Sequence, residues 1–455
     1  MQELKNYEQI LDLVKNESSV FNLSQSLKQY HPYDIAKAFL DFSKTERDKI
    51  YQALSHEDLA DIFEYLDEVD AANFLKELDI EHGTSVLSEM EVDDAVDIIN
   101  ELEEDASSYL ENLELEDQKE ISYLSAYEED TAGSIMTTNY LEVDADWDVK
   151  EAMKYLIAEA NEAEIVDPLF VSRNNQMVGV LDLKKLIIAR TPKKISEIME
   201  ENFSFVNTND SIIDASMKIS NYDIYALPVL ENQKLVGIIT MDDALDVIKD
   251  EVDDDLEKMA SIGEVKEGRT TLFKTLAARI PWLILLLILG LLTANVIGAY
   301  EDVIKQVTTL ALFQTLILDM AGNVGTQSLA VTIRGLSRKN LDSKSKTRKH
   351  LLKELKISII NSFLLGILAF IVSYIFLLVN GDETINIIMI CLIIGLAIFI
   401  SLILSGLFGT LVPIIFDKLK IDPAVASGPF ITTLNDLISV TVYFSLAIIL
   451  LGLYK

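Results

Sequence analysis

Cysteine is nearly absent from this chain of 455 residues: Cys391 stands alone, inside an apolar stretch. One cysteine makes no intrachain disulfide, and a cysteine-based zinc site is excluded. Histidine is scarce as well. His31, His56, His82 and His350 are scattered and lie outside the long apolar runs. No glycine-rich loop ends in Gly-Lys-Ser/Thr, so neither an enzyme nor an ATP-driven pump is indicated. The N-terminus, MQELKNYEQI, lacks a basic start and an apolar run, and no cleavable signal peptide is expected. Basic residues are few: 38 Lys and Arg face 73 Asp and Glu, a net charge of −35. The deficit is one-sided. Residues 1–260 hold 61 acidic and 21 basic residues, a net of −40, while the remainder holds 12 and 17, a net of +5. A part this acidic repels nucleic acid, which is excluded as a partner, and attracts metal cations. For any single carboxylate a solvated acidic surface is the simpler account.

The chain is long enough for about three domains. Residues 1–130 read as helix without strand, and an apolar residue recurs every twelve positions at Phe42, Leu54, Leu66, Leu78, Met90 and Leu102. Longer echoes stand 24 apart, Asp34-Ile35-Ala36 and Asp58-Leu59-Ala60. Short helices stacked as an array give such a period, because no single repeat buries its own apolar face; an irregular helical bundle is the alternative. Residues 131–250 contain two similar segments. The first runs through Ile135-Met136, Pro168-Leu169-Phe170-Val171 and Val178-Gly179-Val180-Leu181-Asp182; the second through Ile198-Met199, Leu227-Pro228-Val229-Leu230 and Val236-Gly237-Ile238-Ile239-Thr240. Each is a β-rich hairpin followed by a charged helix, and the two together resemble a CBS pair. That resemblance implies adenine nucleotide, ATP among them, as a ligand. Asp243, three residues after Thr240, stands where a carboxylate takes a ribose, whereas the first segment has Asp182 and Lys185 at the matching positions.

The stretch DDALDVIKDEVDDDLEKM, residues 242–259, carries Ala244, Leu245, Val247, Ile248, Val252, Leu256 and Met259 at helical spacing. Asp243, Asp246, Asp250, Asp253 and Asp254 follow a 3–4 spacing on another face. Like charges so placed destabilise an isolated helix by a few tenths of a kcal/mol per pair, a penalty that bound cations remove.

Five apolar runs follow: Pro281–Tyr300, Gln306–Ile333, Ile357–Asn380, Thr384–Phe416 and Ala424–Tyr454. Each is long enough to span the ~30 Å core of a lipid bilayer. The loop after the second run carries Arg334, Arg338, Lys339, Lys344, Lys346, Arg348, Lys349, Lys353 and Lys356, and the segment before the first carries Lys266, Arg269, Lys274 and Arg279. Both ends are expected in the cytoplasm. The acidic loops Glu301-Asp302 and Asp382-Glu383, with the C-terminus, are then external.

Asp436 is the only charged side chain between Ala424 and Tyr454. An ionisable group at membrane depth costs at least a few kcal/mol and normally faces a bundle interior or a watery path. Asp422-Pro423 reads as a helix start, with Asp as N-cap and Pro at the first helical position. Gly428, Thr432 and Asp436 then share one face, and Pro429 leaves the carbonyl near Val425 free. This oxygen-lined stripe suits a hard cation; an Asp bonded to a neighbouring helix is the structural alternative. The second run has its own stripe, Thr315, Asp319, Asn323 and Gln327, beside Gly322 and Gly325. It reads as interhelical glue, pore wall, or both.

In order, residues 1–130 form an acidic helical domain, 131–250 tandem CBS domains, 243–272 an acidic connecting helix and linker, and 273–455 a transmembrane domain of five helices. That order, with GNVGTQS (Gly322–Ser328) followed by Arg334, and DPAVASGPFITTLND (Asp422–Asp436), resembles the MgtE family of magnesium channels. The resemblance implies a multidomain chain: an all-α N-terminal repeat domain, an α/β CBS pair and an all-α membrane domain. It implies a plasma-membrane homodimer with one pore for Mg²⁺, lined by Asp436, Thr432 and Gly428; some relatives carry Asn at the last position. It also implies closure by intracellular Mg²⁺ on Asp223, Asp243, Asp246, Glu251, Asp254 and Asp255, with N-domain ligands in the Glu91–Asp97 run. Two rival functions are a secondary divalent-cation transporter coupled to Na⁺ or H⁺, with Asp319 and Asp436 as the coupling pair, and a CBS-containing membrane sensor without flux.

Overall fold

Polar residues that cap helices recur with the same twelve-residue interval as the apolar ones. After α1 (Gln2–Asn16) and α2 (Val20–Leu27), helices α3 (Pro32–Phe39), α4 (Lys44–Ala53), α5 (His56–Phe63), α6 (Glu68–Leu75), α7 (Ile80–Leu87) and α8 (Val92–Glu101) start twelve residues apart. Their N-caps are His31, Ser43, Ser55, Asp67, Asp79 and Glu91. Ser55 accepts from the Asp58 amide at 3.2 Å while Asp58 accepts from the Ser55 amide at 3.1 Å, a reciprocal capping box. The periodic apolar residues sit at helix ends, where Phe42, Leu54, Met90 and Leu102 are buried. Helices pack on their second neighbours: α3 on α5, α5 on α7 and α6 on α8. Phe39 forms the junction, with its ring edge-on to Phe63 and Phe74 at 5.9 and 5.1 Å. Helices α9 (Ala106–Leu110) and α10 (Leu115–Leu124) complete this part.

The computed structural model describes residues 2–17, 19–102, 105–161, 163–261, 272–380, 386–425 and 428–452. It comprises two units, one up to Glu251 and one from Val252 onward. In the first unit two sheets share one topology. Strand β1 (Tyr140–Asp144) pairs parallel with β2 (Ile165–Arg173), which pairs antiparallel with β3 (Gln176–Leu181). Strands β4 (Val206–Asn207), β5 (Ala226–Glu231) and β6 (Lys234–Thr240) repeat the arrangement. Helices α11 (Val149–Glu159) and α12 (Leu183–Ile188) belong to the first sheet's half, and α13 (Ile212–Tyr222) to the second's. Valine, isoleucine and leucine fill β5 and β6, which are buried along nearly their whole length. The acidic stretch is one helix, α14 (Met241–Met259), and its last turns belong to the second unit. Of its expected apolar face only Ala244 is buried; Leu245, Val252 and Leu256 are exposed.

The second unit is helical: α15 (Leu272–Ala299), α16 (Glu301–Gln306), α17 (Thr309–Ser337), α18 (Lys344–Asn380), α19 (Ile387–Lys418) and α20 (Gly428–Leu451). Among the described residues four helices, α15, α18, α19 and α20, are long and apolar enough to cross a membrane. The 29 residues of α17 cover the second expected run and exceed 30 Å at 1.5 Å per residue, but its polar stripe keeps it out of those four. Two local expectations are corrected. Glu301-Asp302 is not a loop but the first turn of α16, with Glu301 paired to Lys305 at 2.7 Å. Asp422 caps a short 3₁₀ turn, Pro423–Val425, by accepting from Ala424 N at 2.8 Å, and α20 itself begins at Gly428. Asp382-Glu383 and the basic residues Lys266 and Arg269 lie outside the described residues.

Candidate ion path and acidic metal site

Helical spacing gives α20 two polar faces. Ile431, Asn435 and Ser439 are buried within the chain, whereas Thr432 and Asp436, one step round the helix, are half-buried. Gly428 opens the helix and is buried. Its carbonyl accepts the Thr432 hydroxyl at 2.9 Å, so the glycine backbone is less free for an ion than the sequence suggested. Thr432 Oγ1 also lies 3.5 Å from Thr326 Oγ1 on α17. The Asp436 carboxylate feels the charge of Asp319 on α17.

The stripe on α17 is resolved into two faces by its glycines. Gly322 and Gly325 are buried and turn towards α20. Thr315, Asp319, Asn323 and Gln327 are all exposed. Within this one chain the stripe is therefore not glue between helices. It is a row of polar side chains on the surface of a helix packed against α19 and α20.

In the first unit a second acidic cluster forms around the start of α14. Oxygens of Glu164, Asp242 and Asp243 lie within 4.8 Å of one another. Asp243 is half-buried and accepts from the Thr240 amide at 3.3 Å and from the Thr240 hydroxyl. The first turn of α8 brings further acid. Glu91 makes no side-chain cap bond; its carboxylate instead accepts from Asn139 Nδ2 at 2.8 Å. Behind it follow Asp93 and Asp94, placed where a helix N-terminus favours negative charge. Asp93 Oδ1 and Glu164 Oε2 are buried without a hydrogen-bond partner among the described residues. Burial, then the charges of Asp243 and Glu91, pushes Asp93 up to about 7. Burial and the neighbouring Asp93 push Asp94 up to about 9, and burial and Asp93 push Glu164 up to about 8. Asp243 is raised as well, chiefly by burial. Orphaned, hard carboxylate oxygens fit a Mg²⁺- or Ca²⁺-type ion.

These shifts have a signed consequence. The folded values lie above the unfolded ones, so ionised acids destabilise the metal-free fold, and the loss begins to be relieved as pH falls below about 9 and goes on being relieved down to the ordinary carboxylate range. In chelator, the first unit of the full-length protein is expected to melt higher at pH 6 than at pH 9. Saturating Mg²⁺ requires the ionised ligands and should flatten or reverse that slope. A slope identical with and without Mg²⁺ counts against metal at this cluster.

The remaining expected ligands are dispersed. Asp246 is exposed and lies 4.0 Å from Lys249. Asp254 lies 3.9 Å from Lys258, and Asp255 accepts from Ser337 Oγ at 2.8 Å, both within the second unit. Asp223 ends α13 in the left-handed region at φ 53° and is exposed. Glu251 is half-buried. Sequence reasoning named Asp243 but passed over Glu164 and Asp242 and singled out no residue of the Glu91–Asp97 run. The available signal was the cap register, which reaches Glu91 and leaves it without a cap bond. On the CBS side, Lys185 bonds to Glu200 and lies 3.7 Å from Asp182, so those two positions of the first half are occupied with each other.

Comparison with known proteins agrees with this layout. Three family descriptions match: divalent cation transporter over residues 314–446, MgtE intracellular N domain over 30–130, and CBS domain over 132–191 and 195–250. The magnesium transporter MgtE of Bacillus subtilis (strain 168) is 38% identical over 343 residues, 74% of this chain and 73% of the relative. That of Enterococcus faecalis (strain ATCC 700802 / V583) is 37% identical over 334 residues, 73% and 72% of the two chains. The crystal structure of the soluble part of a magnesium transporter superposes with a TM-score of 0.51 at 31% identity, covering 55% of this chain and 99% of that one. With 38% identity over about three quarters of both chains, and family matches to both the N-terminal and the C-terminal parts, the chain belongs to the MgtE family of magnesium transporters.

Proposed function

We propose that the protein is a homodimeric, Mg²⁺-selective channel of the plasma membrane, closed by intracellular Mg²⁺ on its acidic cytoplasmic part. The observation that carries the reading is the exposed row Asp319, Asn323 and Gln327 on α17 beside the half-buried Thr432 and Asp436 on α20. A polar row that includes a carboxylate is costly to face to lipid. A second copy related by a twofold axis closes these faces around a watery path, with α17 as the fifth span and the C-terminus outside. The exposed Leu245, Val252 and Leu256 of α14 offer a second contact between the copies. Asp436 holds the ion through water, since Mg²⁺ dehydrates reluctantly. Membrane potential drives entry, at about 4.6 kcal/mol per 100 mV for a divalent ion, twice the single-charge value.

Gating follows from the acids around Asp93, Glu164 and Asp243: ionised and metal-free they repel, and a divalent ion replaces that repulsion by attraction. Such an ion shifts the gate only by its differential affinity for the two states. Adenine nucleotide at the CBS pair rests on the Thr240–Asp243 turn alone. The test is purified protein in liposomes. Mg²⁺ uptake is expected under an inside-negative potential, without Na⁺ or pH gradients, and with single-channel currents in patches. Uptake that demands either gradient would move the reading to a carrier, and no uptake at all to a sensor.

A further inference from the structure

The fit between α17 and α20 has no slack at two points. A Cβ on Gly322 would stand 2.9 Å from Thr432 Cγ2, and a Cβ on Gly325 would stand 1.9 Å from Asn435 Nδ2 and 3.2 Å from Ile431 Cγ2. Two notches three residues apart on one helix thus receive two side chains three residues apart on the other. Gly325 cannot retreat, because a Cβ on Gly409 of α19 would stand 2.3 Å from the Gly325 carbonyl oxygen. Asn435 is fully buried, and neither its Nδ2 nor its Oδ1 has a hydrogen-bond partner among the described residues. Within a membrane, lipid tails are as apolar as leucine, so close packing at small residues is what sets one helix against another.

Asn435 adjoins Asp436, so the seat of one side chain dictates the heading of the other, about 100° away at 3.6 residues per turn. We propose that Asn435 in the Gly325 notch fixes the rotation of α20 and thereby aims Asp436 into the ion path. Asn435 is a positioning residue; the inference rests on the reading of Asp436 as the pore carboxylate.

The test uses full-length protein in membranes and a positively charged methanethiosulfonate reagent. Cys391 is buried, so a thiol placed by Asp436→Cys reports its own accessibility. In that background, Gly325→Ala should slow labelling at least tenfold, and Gly325→Ala with Asn435→Ala should restore it to within about threefold. With Asp436 intact, Mg²⁺ flux should fall and recover in the same order. Asn435→Gln, one methylene too long for the notch, provides a second route should Gly325→Ala fail to fold, and should slow labelling likewise. Labelling at the parental rate in a folded Gly325→Ala or Asn435→Gln protein overturns the positioning role and leaves the pore reading standing. A thiol at position 436 that never reacts, even with Gly325 and Asn435 in place, overturns the pore reading and the inference with it.

Discussion

Asp436→Asn is expected to lower selective Mg²⁺ flux at least about a hundredfold, which corresponds to about 2.7 kcal/mol of lost stabilisation. The substitution keeps the shape of the side chain and removes its charge, so folding at the half-buried position should be spared. A dimer brings two copies of the carboxylate to one narrow path, and each loss removes attraction for the hydrated ion from a pore walled by apolar helices. Thr432→Val should cost less, since its hydroxyl already donates to the Gly428 carbonyl at 2.9 Å. Patch recordings of the two variants in the same membrane decide the matter. Unchanged Mg²⁺ selectivity in Asp436→Asn would end the assignment of this residue to the pore.

The second large effect is expected at the acidic cluster. Joint replacement Asp93→Asn, Glu164→Gln and Asp243→Asn removes the buried like charges and the ligands at once. The channel should then remain open at internal Mg²⁺ concentrations that close the parent, with the closing concentration raised at least about tenfold, 1.4 kcal/mol of differential binding. The metal-free protein should also gain stability, because the carboxylates whose values are pushed to about 7 and about 8 no longer repel. Gain of stability together with loss of closure separates a metal sensor from an acidic surface that only solvates the fold. Normal closure in the triple variant would remove the cluster from the gating scheme.

Much of the architecture could be read from spacing. The doubled hairpins at Pro168–Leu181 and Leu227–Thr240 correspond to two sheets of one topology, because alternation and turn chemistry are local. The same holds for the face shared by Thr432 and Asp436, which the helical period alone determines. What spacing did not supply are partnerships across the fold. Glu164 just precedes a strand and Asp93 lies in the first turn of a helix, about 70 positions apart, and nothing local joins them. Asp254 and Asp255 look equivalent to Asp243 in the sequence, yet Lys258 and Ser337 engage them instead. The notch at Gly325 was legible as a small residue but not as the seat of Asn435, since that depends on how two helices cross. The stripe of α17 was ambiguous for the same reason.

The spacing of the caps makes helices α3 to α8 a ruler for the acids of the last of them. Successive helices begin twelve residues apart, but α3 rests on α5, α5 on α7 and α6 on α8, so the pitch that returns a helix to the same side of the stack is 24 residues. Asp34 in α3 and Asp58 in α5 mark that longer pitch. An insertion or deletion of 24 residues ahead of Glu91 leaves the acidic turn in phase with Asn139. One of twelve hands it to the opposite side, and any other length turns it out of register. The array's tolerance for changes in length is therefore quantised, and its unit is a pair of helices.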